Sequence, residues 1–127
     1  MFALAAWTVA ILLLMVSLRV ASKVKPSDFA MGESDRVPLR PRLAHRNYVN
    51  LLELPVLFYV VGMLGYVSGA SLATLVPLAW TYVGLRVLHS LIHIGYNNVA
   101  HRALVFAASN IVLVVMWVFA WQALDRA

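Results

Sequence analysis

The sequence predicts an all-α integral membrane protein, a single domain over residues 1–127 that folds as a bundle of four transmembrane helices. Hydrophobic residues make up 63% of the chain and charged residues only 12%, against about 45–50% and about 25% in soluble domains. The apolar residues are concentrated in four long blocks, with one long polar stretch between the first two. A soluble core of this size could not bury so many aliphatic side chains, so the blocks are expected to cross a membrane.

The first block covers residues 2–21 and carries no charge before Arg19. At about 1.5 Å per residue, a helix of this length matches a hydrocarbon core about 30 Å thick. A cleaved signal peptide is the alternative interpretation, and it would need a basic segment ahead of a shorter apolar core. Because the positive charges follow the block, we expect a retained helix with its N-terminus outside.

Residues 22–45 predict a polar loop, because they contain three prolines and most of the charged residues of the chain. Seven of the ten Lys and Arg residues lie between Arg19 and Arg46. Such a cluster is typical of cytoplasmic loops, where anionic lipid headgroups supply the counter-charge. The net charge of +5 therefore does not indicate a nucleic-acid partner. The absence of cysteine excludes disulfides and a protein thiol nucleophile.

Residues 46–68 predict the second helix, in which Pro55 predicts a kink one turn above Glu53. Residues 72–94 and 101–124 predict the third and fourth helices. Short turns join helices two to four, which makes consecutive ones antiparallel neighbours. With the basic loop in the cytoplasm, both termini lie outside, and the expected location is a bacterial inner membrane.

Three rows of polar side chains interrupt the last three apolar blocks. The rows are Arg46, Asn50 and Glu53; Arg86, His89 and His93; and Arg102 with Asn110. Spacings of three and four residues place the members of a row on one helix face. The alternating helix directions bring all three rows to the cytoplasmic half of the bundle. Charges cost roughly 2.5–3.5 kcal/mol each at a helix centre, so this convergence indicates a polar site between the helices.

Structural roles are the alternative for individual members of these rows. Arg46 and Arg102 begin helices and could reach lipid headgroups, and Glu53 could form an ion pair with Arg86. The pair His89 and His93, with Glu53, could also bind zinc, but the neighbouring arginine would repel a cation. No metal is therefore expected.

Three arginines at one membrane face favour an anionic ligand, because a guanidinium binds carboxylates in a two-pronged geometry. Asn50 and Glu53 would offer acceptors to an amide or an ammonium group. A free thiol has a pKa of about 8.5, and a nearby cation lowers it. A ligand with carboxylates, amides, an amine and a thiol would suit this lining, and the membrane would deliver an apolar electrophile.

The segment RNYVNLLELP, which begins at Arg46, resembles the R-x-x-x-N-x-x-E-x-x-P signature of the MAPEG family, the membrane-associated proteins in eicosanoid and glutathione metabolism. RVLHSLIH, which begins at Arg86, and the later Arg102 resemble its R-x-x-H-x-x-x-Y segment and catalytic arginine. The sequence departs from the pattern in four ways: proline follows Glu53 by two residues, His93 replaces the tyrosine, Ala103 follows Arg102 where some catalytic members carry serine, and residues 96–101 are not the usual basic loop.

The resemblance implies a homotrimer that binds glutathione as co-substrate between subunits on the cytoplasmic side. Arg102 would stabilise the glutathione thiolate. The implied glutathione-binding residues are Arg46, Asn50, Glu53, Arg86, His89, His93 and, as a replacement for the tyrosine, Tyr96.

Two functions are therefore expected in competition. The first is a membrane-bound glutathione-dependent transferase or peroxidase acting on lipophilic electrophiles. The second is a non-catalytic lipid-binding or scaffold protein of the same fold, a type that the family also contains. A small multidrug-type transporter is disfavoured, because such proteins carry an essential carboxylate in their first helix and this chain has none there.

Overall fold

The structure, a computed structural model, describes residues 1–29 and 35–126. Within these residues it contains helices and no strands, and four helical spans are long and apolar enough to cross a membrane. The predicted fold class is thus confirmed. Glu33, which belongs to the expected loop, lies outside the described residues.

Helix α1 covers Phe2–Ala21, the bounds expected from the sequence. Its buried residues are Leu4, Ile11 and Met15. Because spacings of seven and four residues repeat one face of a helix, these side chains form a single stripe that packs against the next span and α4. A short 3-10 helix, Pro26–Phe29, follows.

The second span begins earlier than predicted, since helix α2 covers Leu39–Leu52 and the expected start was residue 46. Pro41 lies in its first turn, where the backbone N–H groups have no intrahelical acceptor, so a proline costs little there. Leu43 and Ala44 are buried. The prolines therefore mark the start of this helix rather than a continuing loop.

The expected kink is an interruption at residues 53–54 of the second span, Leu39–Val67, and it separates α2 from helix α3, which covers Pro55–Val67. Pro55 has no N–H to donate, and Glu53 has a non-helical ψ of −97°. The chain restarts through a tighter turn, in which Val56 N–H donates to the Glu53 carbonyl at 3.1 Å. The carboxylate of Glu53 consequently projects from the end of a helix instead of from its middle.

Helices α4, Leu72–Ile94, and α5, Val99–Leu124, form the most extensive pair in the bundle. The bounds of α4 agree with the sequence-based expectation, and α5 begins two residues before the expected 101. The earlier start follows from a cap, because Asn98 Oδ1 accepts from the His101 N–H at 3.1 Å. The turn needs Gly95, since a Cβ there would lie 2.7 Å from the Leu91 carbonyl oxygen.

The bundle has two chemically different halves. The basic end is the half in which α1 ends, α2 begins, α4 ends and α5 begins, next to residues 22–29 and 35–38; the opposite half is the apolar end. Phe58 and Tyr82 stack in the core with ring centroids 4.6 Å apart. The buried polar side chains lie between the middle of the bundle and the basic end: Asn47, Arg86, His89, Ser90, His93 and Ser109.

Candidate functional site

A pocket of about 230 Å³ opens near the basic end, where α2, α4 and α5 meet. It has a polar side and an apolar side. The residues that line it are Asn50, His89, Val99, Arg102, Ala103 and Phe106. One member of each predicted polar row therefore reaches the same pocket within a single chain.

Arg102 is held at the pocket by the turn between α4 and α5. Its Nη1 donates to Asn97 Oδ1 at 2.9 Å. Asn97 has a left-handed backbone with φ of 49°, a conformation that asparagine tolerates better than most residues. The turn thus fixes the position of the guanidinium that the sequence singled out as catalytic.

His89 approaches the same residue through the backbone. Its Nδ1 lies 3.1 Å from the carbonyl oxygen of Arg102, and its ring packs against Phe106 with centroids 5.7 Å apart. The side chain is 4% exposed, and its Nε2 has no hydrogen-bond partner. A buried polar atom without a partner is expensive, so this nitrogen indicates a place for a ligand group or a water.

Arg86 is buried beneath the pocket and does not line it. Its Nε donates to the Tyr82 hydroxyl at 3.0 Å and its Nη2 to Asn110 Oδ1 at 3.3 Å. The guanidinium also lies 5.0 Å from the Phe106 ring centroid, which is a favourable cation–π contact. The considered ion pair with Glu53 is wrong, because Glu53 is exposed, Arg86 donates to neutral groups of α4 and α5, and its Nη1 has no partner.

His93 lies one turn after His89 on α4, towards the basic end, with ring centroids 5.8 Å apart. It is 2% exposed, and both of its ring nitrogens lack a partner. The sequence analysis missed the neighbouring pair in which Ser90 Oγ donates to Asn47 Oδ1 at 3.0 Å, joining α4 to α2. The sequence did contain a signal for this pair: Asn47 and Ser90 are polar residues inside apolar spans, and each is next to a member of a polar row.

The remaining predicted site residues lie at the surface of the single chain. Arg46 and Glu53 are exposed on the α2 side, and Asn50 Nδ2 donates to the Arg46 carbonyl at 3.0 Å. Tyr96 is also exposed, and its hydroxyl lies 3.0 Å from His101 Nδ1. The roles of these residues in ligand binding stay predictions.

No group of three His, Asp or Glu side chains that could hold a metal ion occurs in residues 1–29 and 35–126. In particular, His89 and His93 face the bundle interior while Glu53 is exposed. The zinc arrangement considered from the sequence is therefore not assembled in this chain.

These features define an integral, multi-pass membrane protein with a polar pocket between its helices. The model of the MAPEG family matches residues 1–121, and the chain belongs to this family. The family includes glutathione transferases and peroxidases and is broadly associated with glutathione. Comparisons with curated proteins and with solved structures found no match.

Proposed function

We propose that the protein is a membrane-bound glutathione-dependent transferase or peroxidase that acts on lipophilic electrophiles. The observation that carries this proposal is the fixed guanidinium of Arg102 at a pocket shared by Asn50 and His89. A cation beside a thiol favours the thiolate, which is the reactive nucleophile.

The polar side of the pocket fits the functional groups of glutathione. Arg102 offers a charged donor to a carboxylate or a thiolate. Asn50 can accept from an ammonium or amide N–H, and His89 Nε2 is buried without a partner. These complementary groups come from three helices, so a bound peptide would join them.

The apolar side fits the second substrate. Val99 and Ala103 are exposed on α5, and Phe106 forms the inner wall. Because Val99 and Ala103 are exposed on α5, a lipophilic electrophile would reach the pocket laterally from the bilayer. The two substrates would then meet at Arg102.

A homotrimer would complete the site. The pocket of about 230 Å³ is smaller than the roughly 300–1,000 Å³ of ordinary ligand sites. Glu53 is an exposed acid in a membrane span, without an ion pair among the described residues, and such a group is costly in lipid. In the proposal, a second copy covers Arg46 and Glu53 and brings them to its neighbour's pocket, on the cytoplasmic side.

Isothermal titration of the purified protein with glutathione in detergent tests binding. We expect binding to wild-type protein and a Kd at least about tenfold weaker in Arg46→Ala, since a charge-assisted hydrogen bond contributes about 1.5–3 kcal/mol. Arg40→Ala is the matched control, because Arg40 is an exposed arginine in the first turn of the same helix. Folded wild-type protein that does not bind glutathione would remove the proposal.

Turnover is tested separately by conjugation of glutathione to a chlorinated aromatic compound. The activity should be lost in Arg102→Ala and retained in Arg126→Ala, which truncates an exposed arginine beyond the other end of α5. Binding without turnover would favour the alternative function.

The alternative is a non-catalytic lipid-binding or scaffold protein of the same fold. Two grooves favour it, because they are larger than the polar pocket and mainly apolar. One of about 320 Å³ lies between the start of α1 and α4, and one of about 350 Å³ lies between α1 and the break of the second span. This function predicts fatty-acid binding that is insensitive to Arg102→Ala.

A further inference from the structure

The hydrogen bond between His89 and Arg102 determines which ring nitrogen of His89 carries a proton. A carbonyl oxygen can only accept, so Nδ1, 3.1 Å from the Arg102 carbonyl, must be the donor. A neutral imidazole has one N–H and one acceptor nitrogen. Nε2 of neutral His89 is therefore an unprotonated acceptor, and the backbone of α5 fixes it in that state.

This acceptor belongs to a residue that lines the pocket, and a bound thiol would have to approach it there to lose its proton. His89 and Arg102 line the same pocket. The Nε2 atom is buried and has no hydrogen-bond partner. Since the Arg102 side chain is held by Asn97 and its backbone by His89, the base and the cation are positioned by one short segment of chain.

We propose that His89 is the base that deprotonates glutathione, an inference that rests on the proposed function and adds a catalytic residue to it. The thiol S–H bond breaks, its electron pair stays on sulfur, and the proton goes to His89 Nε2. The thiolate then lies beside the Arg102 guanidinium. After sulfur attacks the electrophile, the imidazolium returns the proton to the leaving group or to the product anion.

The transfer suits a pocket within a membrane because it leaves the total charge of the pocket unchanged. A thiolate formed by proton loss to water would instead require a proton path out of the bundle. The charged and titratable groups around His89 are Arg86 and His93 on α4 and Arg102 on α5. Helix α2 contributes the neutral Asn50 to the pocket, and Arg46, one turn earlier on α2, is exposed. The negative charge of the thiolate balances the positive charge that His89 gains when it becomes an imidazolium.

Counting protons tests the inference. Wild-type protein in detergent is mixed with glutathione in weakly buffered solution at neutral pH. The ultraviolet absorbance of the thiolate and the colour of a pH indicator are followed together. The same titration with S-methylglutathione, which has no ionisable thiol, is subtracted to remove protons linked to the rest of the ligand.

If His89 retains the proton, thiolate absorbance rises with almost no proton release. His89→Gln cannot hold the proton, so its thiolate should form at least about 100-fold more slowly and release a full proton equivalent. His45→Gln is the matched control, because His45 lies on α2 and does not line the pocket; it should behave as wild type.

A full proton equivalent released per thiolate by wild-type protein would overturn the inference, as would thiolate formation in His89→Gln at the wild-type rate. If His89→Gln does not fold, as judged by gel filtration, the wild-type proton count alone decides. Absence of glutathione binding to wild-type protein would instead overturn the proposed function itself, so the two failures are distinguishable.

Discussion

The apolar and basic ends of this bundle differ in the side chains that fill their interiors. Towards the apolar end the interior is filled by side chains such as Phe58, Val61 and Met116, each at most 1% exposed. Towards the basic end the interior contains buried polar atoms that lack partners, on Asn47, Arg86, His89 and His93. Trp7 is the one residue that contributes such an atom near the apolar end, among the described residues.

The difference indicates where stability and where function are expected to reside. Lipid tails satisfy no hydrogen bond, so unpaired buried polar atoms lower the stability of the fold. In the proposed function, a bound ligand completes some of the hydrogen bonds that these atoms lack. Substitutions at the apolar end should therefore affect folding, and substitutions at the basic end should affect ligand binding more than folding.

The largest effect on stability is expected from Phe58→Ala at the apolar end. The ring is completely buried and stacks on Tyr82. The loss should be about 3 kcal/mol, near the low end for a buried aromatic, because lipid rather than water competes for the ring. Thermal unfolding in detergent measures it, and Phe2→Ala, with a side chain that is 92% exposed, should change little. Equal effects of the two substitutions would contradict the assignment of this core.

Arg86→Met should have the next largest effect. The substitution retains apolar bulk between α4 and α5 but leaves Tyr82 and Asn110 without their donor, which should lower the free energy of unfolding by about 1–3 kcal/mol. Tyr82→Phe removes one of these hydrogen bonds and should cost about 1 kcal/mol. An Arg86→Met protein more stable than wild type would show that the two hydrogen bonds of the guanidinium do not outweigh the cost of burying its charge.

Two substitutions at Asn97 distinguish the effect of backbone strain from the effect of losing the hydrogen bond that holds the Arg102 side chain. Both Asn97→Gly and Asn97→Ala remove the hydrogen bond to Arg102, and both should weaken thiolate formation. Glycine adopts the left-handed backbone without strain, whereas alanine does not, so Asn97→Ala should be less stable by about 1 kcal/mol. Unchanged thiolate formation in Asn97→Gly would show that Arg102 needs no support from the turn.

The smallest effect is expected from Ser90→Ala. It removes the donor to Asn47 Oδ1 and leaves that buried oxygen unpartnered, at a cost of about 1 kcal/mol. Ser17→Ala is the control, because its hydroxyl bonds only to the exposed backbone of its own helix. If the two substitutions change the free energy of unfolding equally, the hydrogen bond between α2 and α4 does not stabilise the fold.

How far the sequence predicts this molecule depends on the kind of interaction. Hydropathy and length predicted α1 and α4 correctly because a membrane span is set by local composition. The start of α2 was predicted too late, because Pro41 is tolerated in a first helical turn and only the burial of Leu43 and Ala44 indicates that the helix extends back to Leu39.

The site was predictable as a set of rows but not as a set of contacts. Helical spacing placed Asn50, His89 and Arg102 at one end, and the pocket lining agrees with that. Spacing could not show that Arg86 turns inward to Tyr82 and Asn110, or that the break before Pro55 leaves Glu53 exposed. Those outcomes depend on packing between helices, which residue spacing within one helix does not encode.

The thiolate difference spectrum of the protein with glutathione tests the central claim most directly. Wild-type protein should show thiolate absorbance at neutral pH, and Arg102→Ala should lose it while Arg126→Ala retains it. Wild-type protein that binds glutathione only as the thiol, with the same spectrum as Arg102→Ala, would contradict the account.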